Sequence, residues 1–82
     1  MTQKEAKAIG IDNGYTCAEV NYSKGMTAEV LMDEALDGET NGRDYPHLNT
    51  LQRKSMIQSI WDAYDEGVVL GIKRFIRENK IT

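Results

Sequence analysis

The sequence predicts a mainly α-helical single domain of three or four helices, of which the last is long and amphipathic. Two observations carry this prediction. Apolar residues in the C-terminal third recur at three- and four-residue steps, and a threonine suited to capping a helix precedes each earlier apolar segment. The chain has 82 residues, 40% apolar and 28% charged, which is a composition typical of one small globular domain.

The first segment begins with a capping pattern. Thr2 stands three residues before Glu5, the spacing at which the threonine hydroxyl and the glutamate carboxylate each accept a backbone N–H at a helix start. The apolar residues Ala6, Ala8 and Ile9 follow. Gly10 marks the expected end, because glycine is common just past the last turn of a helix.

The second segment has two interpretations, and the sequence leaves both open. Thr16–Glu19 repeats the capping pattern and predicts a helix that ends near Gly25. The Asp-Asn-Gly sequence at 12–14 also fits a hairpin turn, with 7–11 pairing with 15–20. That alternative is an α+β fold, in which an N-terminal β-hairpin packs on the C-terminal helix.

The third segment is a predicted helix from Ala28 to Leu36, capped by Thr27. Gly38 follows just past its expected end. The stretch from Asp37 to His47 is predicted to be a loop, because it contains Gly38, an Asn-Gly pair and a proline.

The C-terminal segment has the strongest periodicity in the chain. We expect one helix from about Asn49 to Asn79, roughly 45 Å long at 1.5 Å per residue. Three short helices would not cover its whole apolar stripe, so part of the stripe should meet a second chain, or the helix should bend near Gly67. Gly67 and Gly71 form a small-x-x-x-small pattern that allows close approach of another backbone, within the chain or between chains. The stripe comprises Ile57, Ile60, Trp61, Tyr64, Val68, Ile72, Phe75 and Ile76.

Charge is distributed unevenly along the chain. The net charge is −3, from 10 basic and 13 acidic residues. Most of the acidic excess lies between Met26 and Tyr45, whereas the last helix ends in a basic segment. That segment carries Lys73, Arg74, Arg77 and Lys80 against the single acid Glu78.

Several kinds of site lack the residues they need. Cys17 and His47 are the only cysteine and histidine, so an internal disulfide and a four-ligand zinc site are excluded. The segment that starts at Asp37 resembles a calcium loop for six residues, but its twelfth position is Leu48 instead of glutamate. No spacing joins Cys17 to His47 as a catalytic pair, and no phosphate-binding glycine pattern occurs. We therefore expect no enzyme activity, cofactor or bound metal.

The leading functional prediction is a non-enzymatic protein interaction module, which acts by stoichiometric binding as an inhibitor, adaptor or regulator. Small accessory proteins of bacteriophages and mobile elements have a similar size and acidity. We expect a homodimer, and a cytoplasmic location because the sequence has no apolar leader or membrane-spanning run. The predicted partner-binding residues are Trp61, Tyr64, Glu29, Asp33, Glu34 and Asp37. The competing interpretations are core packing for the aromatic residues and a solvated helix face for the acids.

Two alternatives use cations. A nucleic-acid-associated regulator would bind phosphates through Lys73, Arg74, Arg77 and Lys80, although these residues also suit the C-terminal end of a helix dipole. A small anionic ligand such as a nucleotide would bind between chains. Its expected contacts are Tyr15, Tyr22, Tyr45, Lys24 and Arg43.

Overall fold

The computed structural model describes residues 1–40 and 57–82. Within these residues the chain forms three α-helices and no strand: α1 over Gln3–Asn21, α2 over Ala28–Thr40 and α3 over Gln58–Glu78. The predicted mainly α-helical fold is confirmed. The alternative β-hairpin is wrong, because both of its proposed strands lie in α1.

Helix α1 is longer than the sequence predicted. The Thr2 capping box is confirmed: the Thr2 hydroxyl accepts the Glu5 N–H, the Glu5 carboxylate accepts the Thr2 N–H, and both distances are 3.1 Å. The predicted stop at Gly10 and the second cap at Thr16 are wrong, because α1 continues through both residues. Gly10 and Gly14 each cost about 1 kcal/mol of helix propensity relative to alanine, so tertiary packing must offset that cost.

Close contact between α1 and α3 supplies that packing. A Cβ added to Gly10 would lie 3.1 Å from the Gly67 Cα and would overlap the Tyr64 carbonyl oxygen. A Cβ added to Gly71 would overlap the carbonyl oxygen of Ile11. The close approach predicted for the glycines of the last helix is therefore confirmed, and it occurs within the chain.

Helices α1 and α3 run in the same direction. Lys7 pairs with Glu66 through an ion pair of 3.3 Å, and Tyr15, two turns later, donates to Glu78. Residue numbers therefore rise together along the two helices. Helix α2 connects to α1 through the short segment 22–27, in which Gly25 has a φ of +91°.

The core combines small residues on α1 with large residues on α3. The small α1 side chains leave room for the large α3 side chains to reach across the interface. The buried residues of α1 are Ala6, Gly10, Asn13, Gly14, Cys17 and Ala18. Those of α3 are Ile60, Tyr64, Gly67, Val68, Gly71, Ile72 and Phe75.

Helix α3 begins at Gln58, because Ile57 has extended backbone at the N-cap. The predicted start near Asn49 lies outside the described residues. At 1.5 Å per residue α3 is roughly 32 Å long. Most of the apolar stripe of α3 is buried within the chain. In the described residues, the stripe therefore gives no separate reason to expect a second chain. The homodimer stays a prediction.

Helix α2 starts as predicted and ends later. The Thr27 hydroxyl accepts the Val30 N–H at 3.2 Å, which confirms the predicted cap. The helix continues past Leu36 to Thr40, so the predicted loop is wrong for 37–40, and its remainder lies outside the described residues. Gly38 lies inside α2 and is buried, so it does not end the helix.

The C-terminus of α3 is closed by a Schellman motif. The Ile81 N–H donates to the Ile76 carbonyl at 3.0 Å, and the Lys80 N–H donates to the Arg77 carbonyl at 3.3 Å. Lys80 has a φ of 53°, the left-handed conformation that usually requires glycine at this position. Ile81 packs against the core, as the motif favours.

Candidate functional site

A buried chain of hydrogen bonds joins the three helices, with one side chain from each. The Asn13 Nδ2 of α1 donates to the Tyr64 hydroxyl of α3 at 3.2 Å, and that hydroxyl donates to Glu39 Oε1 of α2 at 2.8 Å. Asn13, Tyr64 and Glu39 are only 6%, 4% and 5% exposed, respectively. The network therefore lies where all three helices meet.

The environment keeps Tyr64 protonated. Burial raises the pKa of Tyr64 well above its usual range; the hydrogen bond from Asn13 opposes this effect, and the hydrogen bond to Glu39 adds to it. The neutral phenol remains a donor to the Glu39 carboxylate across the physiological pH range. Such a phenol is a poor nucleophile and is buried away from solvent. The hydrogen-bond chain therefore holds the three helices in position.

This geometry decides between the two interpretations of Tyr64. Its side chain lies in the core and presents no surface to a partner, so the core interpretation is correct for this residue. Trp61 is half-buried and stands edge-on to the Tyr64 ring, with a centroid distance of 6.1 Å. Partner contact by Trp61 stays a prediction.

Sequence reasoning missed Asn13 and Glu39. Asn13 shares a face with small residues spaced three and four apart on α1, and that spacing was the available signal. Glu39 offered no signal, because a single glutamate among several acids does not show which one is buried. Only the position of Tyr64 identifies it.

Four exposed carboxylates define an acidic surface on α2: Glu29, Asp33, Glu34 and Asp37. Glu29, Asp33 and Asp37 are four residues apart in turn, so they share one face of the helix. Val30 lies beside them and is 46% exposed. The helix contains five acidic residues and no lysine or arginine.

The four predicted anion-binding residues lie on the exposed side of α3 and just beyond its end: Lys73, Arg74, Arg77 and Lys80. Arg74 already has partners within the chain. Its Nε donates to Glu78 Oε2 at 2.8 Å, and its guanidinium lies 5.8 Å from the centroid of the Tyr15 ring. Anion binding by the group stays a prediction, in which Arg74 is the least available member.

Glu78 links α1 to α3 at the surface. It accepts hydrogen bonds from Arg74 and from the Tyr15 hydroxyl, the latter at 2.9 Å, and these two bonds hold the pKa of Glu78 below its usual range. The same contact raises the pKa of Tyr15. Tyr15 therefore contributes to the packing of the two helices.

Two of the tyrosines proposed to stack on a nucleotide contact an aromatic residue of the chain itself. Tyr15 and Tyr22 both stand edge-on to Phe75, with centroid distances of 5.3 Å and 5.9 Å. Lys24 is exposed in the connection before α2. Tyr45 and Arg43 lie outside the described residues, so a nucleotide site stays a prediction.

The calcium-like pattern straddles the end of α2. Its first and third residues, Asp37 and Glu39, belong to the helix, and its later positions, with His47, lie outside the described residues. Within 1–40 and 57–82, no three histidine, cysteine or acidic side chains are grouped as metal ligands would be. None of the three described helices combines the length and apolarity needed to cross a membrane.

Comparisons with protein-family models, with curated proteins and with solved structures each find no match to this chain. The chemistry of the described residues is therefore the guide to function. Two features are distinctive among them: the acidic surface of α2 and the buried hydrogen-bond chain beneath it.

Proposed function

We propose that this chain is a non-enzymatic interaction module that binds a protein partner stoichiometrically through the acidic surface of α2. It would act as an inhibitor, adaptor or regulator. The observation that supports this proposal is the placement of four exposed carboxylates on a helix that has no cation of its own.

The charge of α2 indicates the chemistry of the partner. Like charges four residues apart, such as those of Glu29 and Asp33, destabilise a helix. A basic partner surface would relieve this repulsion, so binding and helix stability would reinforce each other. Exposed Val30 adds an apolar contact beside the carboxylates. Such complementarity accelerates association and makes it dependent on salt.

A binding experiment with two matched variants tests this proposal. The test variant is Glu29→Gln with Asp33→Asn, which removes two charges from the acidic surface. The control is Asp12→Asn with Glu19→Gln, which removes two charges from exposed positions of α1. Each tagged protein is incubated with nuclease-treated lysate of the source organism, and captured proteins are identified by mass.

We expect the wild-type chain and the control to capture the same protein in near-stoichiometric amount, and the test variant to lose it. With that protein purified, the association rate constant should fall steeply between about 50 mM and 500 mM salt. Equal capture by both variants, or an association rate that does not respond to salt, would contradict the proposal.

The basic end of α3 supports a weaker alternative. A nucleic-acid regulator would use Lys73, Arg77 and Lys80, with Arg74 held by Glu78. So few phosphate contacts release few counterions, and the binding they support at physiological salt is weak. Recovery of nucleic acid in place of protein, when nuclease is omitted, would favour this alternative.

A further inference from the structure

We propose that α2 is a detachable helix, held on the α1–α3 pair by the Tyr64–Glu39 hydrogen bond, and that its docking regulates the acidic surface. Detachment is a property of the chain alone. The regulatory consequence rests on the proposed function.

Among the described residues, α2 packs less extensively on α1 and α3 than those two helices pack on each other. Helices α1 and α3 touch backbone to backbone at Gly10, Gly14, Gly67 and Gly71, and α3 buries five large side chains. Helix α2 buries only Leu31, Ala35, Gly38 and Glu39. Leu31 is the one large apolar side chain among them, and Met32 and Leu36 are partly buried against the core. The free energy of opening a helix rises with the apolar area that opening exposes. We therefore expect α2 to open at a lower free energy than α1 or α3.

Electrostatics also favours release of α2. Glu29 and Asp33 lie one turn apart and repel each other, and the buried Glu39 lies near the negative end of the helix dipole. Undocking returns Glu39 to water and lets the helix fray, which relieves both effects. The charges of Glu29, Asp33 and Glu39 therefore oppose the docked state.

The Tyr64 hydroxyl opposes this release. A buried carboxylate is stable only when it is hydrogen bonded, and Tyr64 supplies the donor at 2.8 Å. Asn13 orients the same hydroxyl from α1 at 3.2 Å. Removing the donor leaves the Glu39 carboxylate buried without this partner, and the simplest relief is for α2 to leave. A hydrogen bond to a charged group contributes enough to shift such an opening equilibrium about tenfold or more.

Docking presents the acidic residues as one ordered face. A basic partner that binds this face selects the docked state and so closes α2 further. Conversely, a chain whose α2 is mostly released binds more weakly, in proportion to the docked fraction. The Tyr64–Glu39 bond thus sets the affinity for the partner without touching it.

Hydrogen exchange on the whole chain, without a partner, tests the detachment. The variant is Tyr64→Phe. The matched control is Tyr15→Phe, which removes another tyrosine-to-glutamate hydrogen bond, at 2.9 Å between α1 and α3. We expect wild-type amides of 28–40 to exchange at least tenfold faster than the core amides of α1 and α3. Tyr64→Phe should raise the exchange rate of the α2 amides about tenfold further, and Tyr15→Phe should leave that rate unchanged.

A second substitution separates the hydrogen bond from the charge. Glu39→Gln keeps a side-chain oxygen that accepts the Tyr64 hydroxyl and removes the charge that opposes docking, so α2 should be at least as protected as in the wild type. Equal protection of all three helices in the wild type would overturn the proposal, and this measurement does not depend on any variant folding. A uniform acceleration across the helices in Tyr64→Phe would also overturn it.

The regulatory step has its own readout. If a partner is captured as described above, Tyr64→Phe should weaken its binding by the same factor by which it lowers the docked fraction. Unchanged affinity with a released α2 would overturn the regulation and leave the detachment standing. Failure to capture any partner would contradict the proposed function, whereas the exchange rates would still decide the detachment.

Discussion

Gly14 lies against Val68 so closely that a Cβ on Gly14 would overlap the Val68 carbonyl oxygen and come within 2.9 Å of the Val68 Cα. The neighbouring atoms belong to backbone and cannot rotate aside. The parallel packing of α1 and α3 therefore requires a residue without a side chain at Gly14. Contact between the two backbones offsets the low helix propensity of glycine.

Gly14→Ala reverses the usual effect of this substitution. In an exposed helix, replacing glycine with alanine adds about 1 kcal/mol of stability. Here we expect a loss of about 3 kcal/mol, because α1 and α3 must separate to admit the methyl group. Urea denaturation followed by circular dichroism measures the change.

Ala8→Gly is the matched control for Gly14→Ala, because Ala8 lies on α1 and is exposed. It should cost only about 1 kcal/mol, from helix propensity alone. If Gly14→Ala were as stable as the wild type, the backbone contact would not exist in solution.

The raised pKa of Tyr64 predicts a loss of stability in alkali. The folded state holds the phenol protonated where the unfolded chain, with a pKa of about 10, releases the proton. The contribution is therefore present below about pH 10 and is lost as the pH rises towards the folded pKa. Each unit in that window lowers the free energy of unfolding by up to about 1.4 kcal/mol.

Unfolding of wild type and Tyr64→Phe between about pH 8 and 11 measures this effect. The variant is less stable at the lower end of this range, and its curve should fall less steeply at the upper end. Tyr15→Phe should flatten the curve less, because Tyr15 lies near the surface and is only partly buried. Parallel curves for wild type and Tyr64→Phe would contradict a buried Tyr64.

Glu78 should titrate below the usual range for glutamate, chiefly because of the hydrogen bond from Arg74 and next because of the one from Tyr15. Its contribution is present above the unfolded pKa of about 4.3 and is lost as the pH falls through the lower folded value. Carboxyl NMR shifts recorded against pH report this pKa directly.

Arg74→Ala should raise the pKa of Glu78, and Tyr15→Phe should raise it less. Arg77→Ala is the matched control, because it removes the same charge from the same helix. Arg77 lowers the pKa of Glu78 through its charge alone, without a hydrogen bond. Equal shifts in Arg74→Ala and Arg77→Ala would show that the effect is general charge and not the bond.

Lys80→Gly should stabilise the chain by about 1 kcal/mol. Lys80 has a φ of 53°, where a Cβ is strained and glycine is not. Lys80→Ala removes the same charge but keeps the Cβ, so we expect no comparable gain. Thermal unfolding of the three proteins measures the difference, and an equal gain in both variants would assign it to charge.

Local signals predicted two helix starts correctly, whereas the capping pattern at Thr16 lies inside α1. Thr2 and Thr27 cap α1 and α2 as expected, because capping depends only on residues within one turn. The apolar period of α3 also identified its buried face correctly. These features need no knowledge of what the helix packs against.

Glycine was the main source of error. The sequence pattern predicts helix ends at Gly10 and Gly38 and a turn at the Asp-Asn-Gly sequence 12–14, because glycine is common in both settings. The structure keeps all of these residues inside helices. Close approach of a neighbouring helix is a third role of glycine, and it depends on residues far away along the chain.

The amino-acid order alone establishes a helical chain with capped starts, an amphipathic last helix, an acidic α2 and a basic end. Each of these is a property of neighbours along the chain. Tertiary structure alone decides that α1 and α3 meet through glycines, that Tyr64 is internal, and that Glu39 is the one acid of α2 it binds. The reason is physical: burial and hydrogen bonding depend on which distant segments come into contact, and local pattern does not encode that choice.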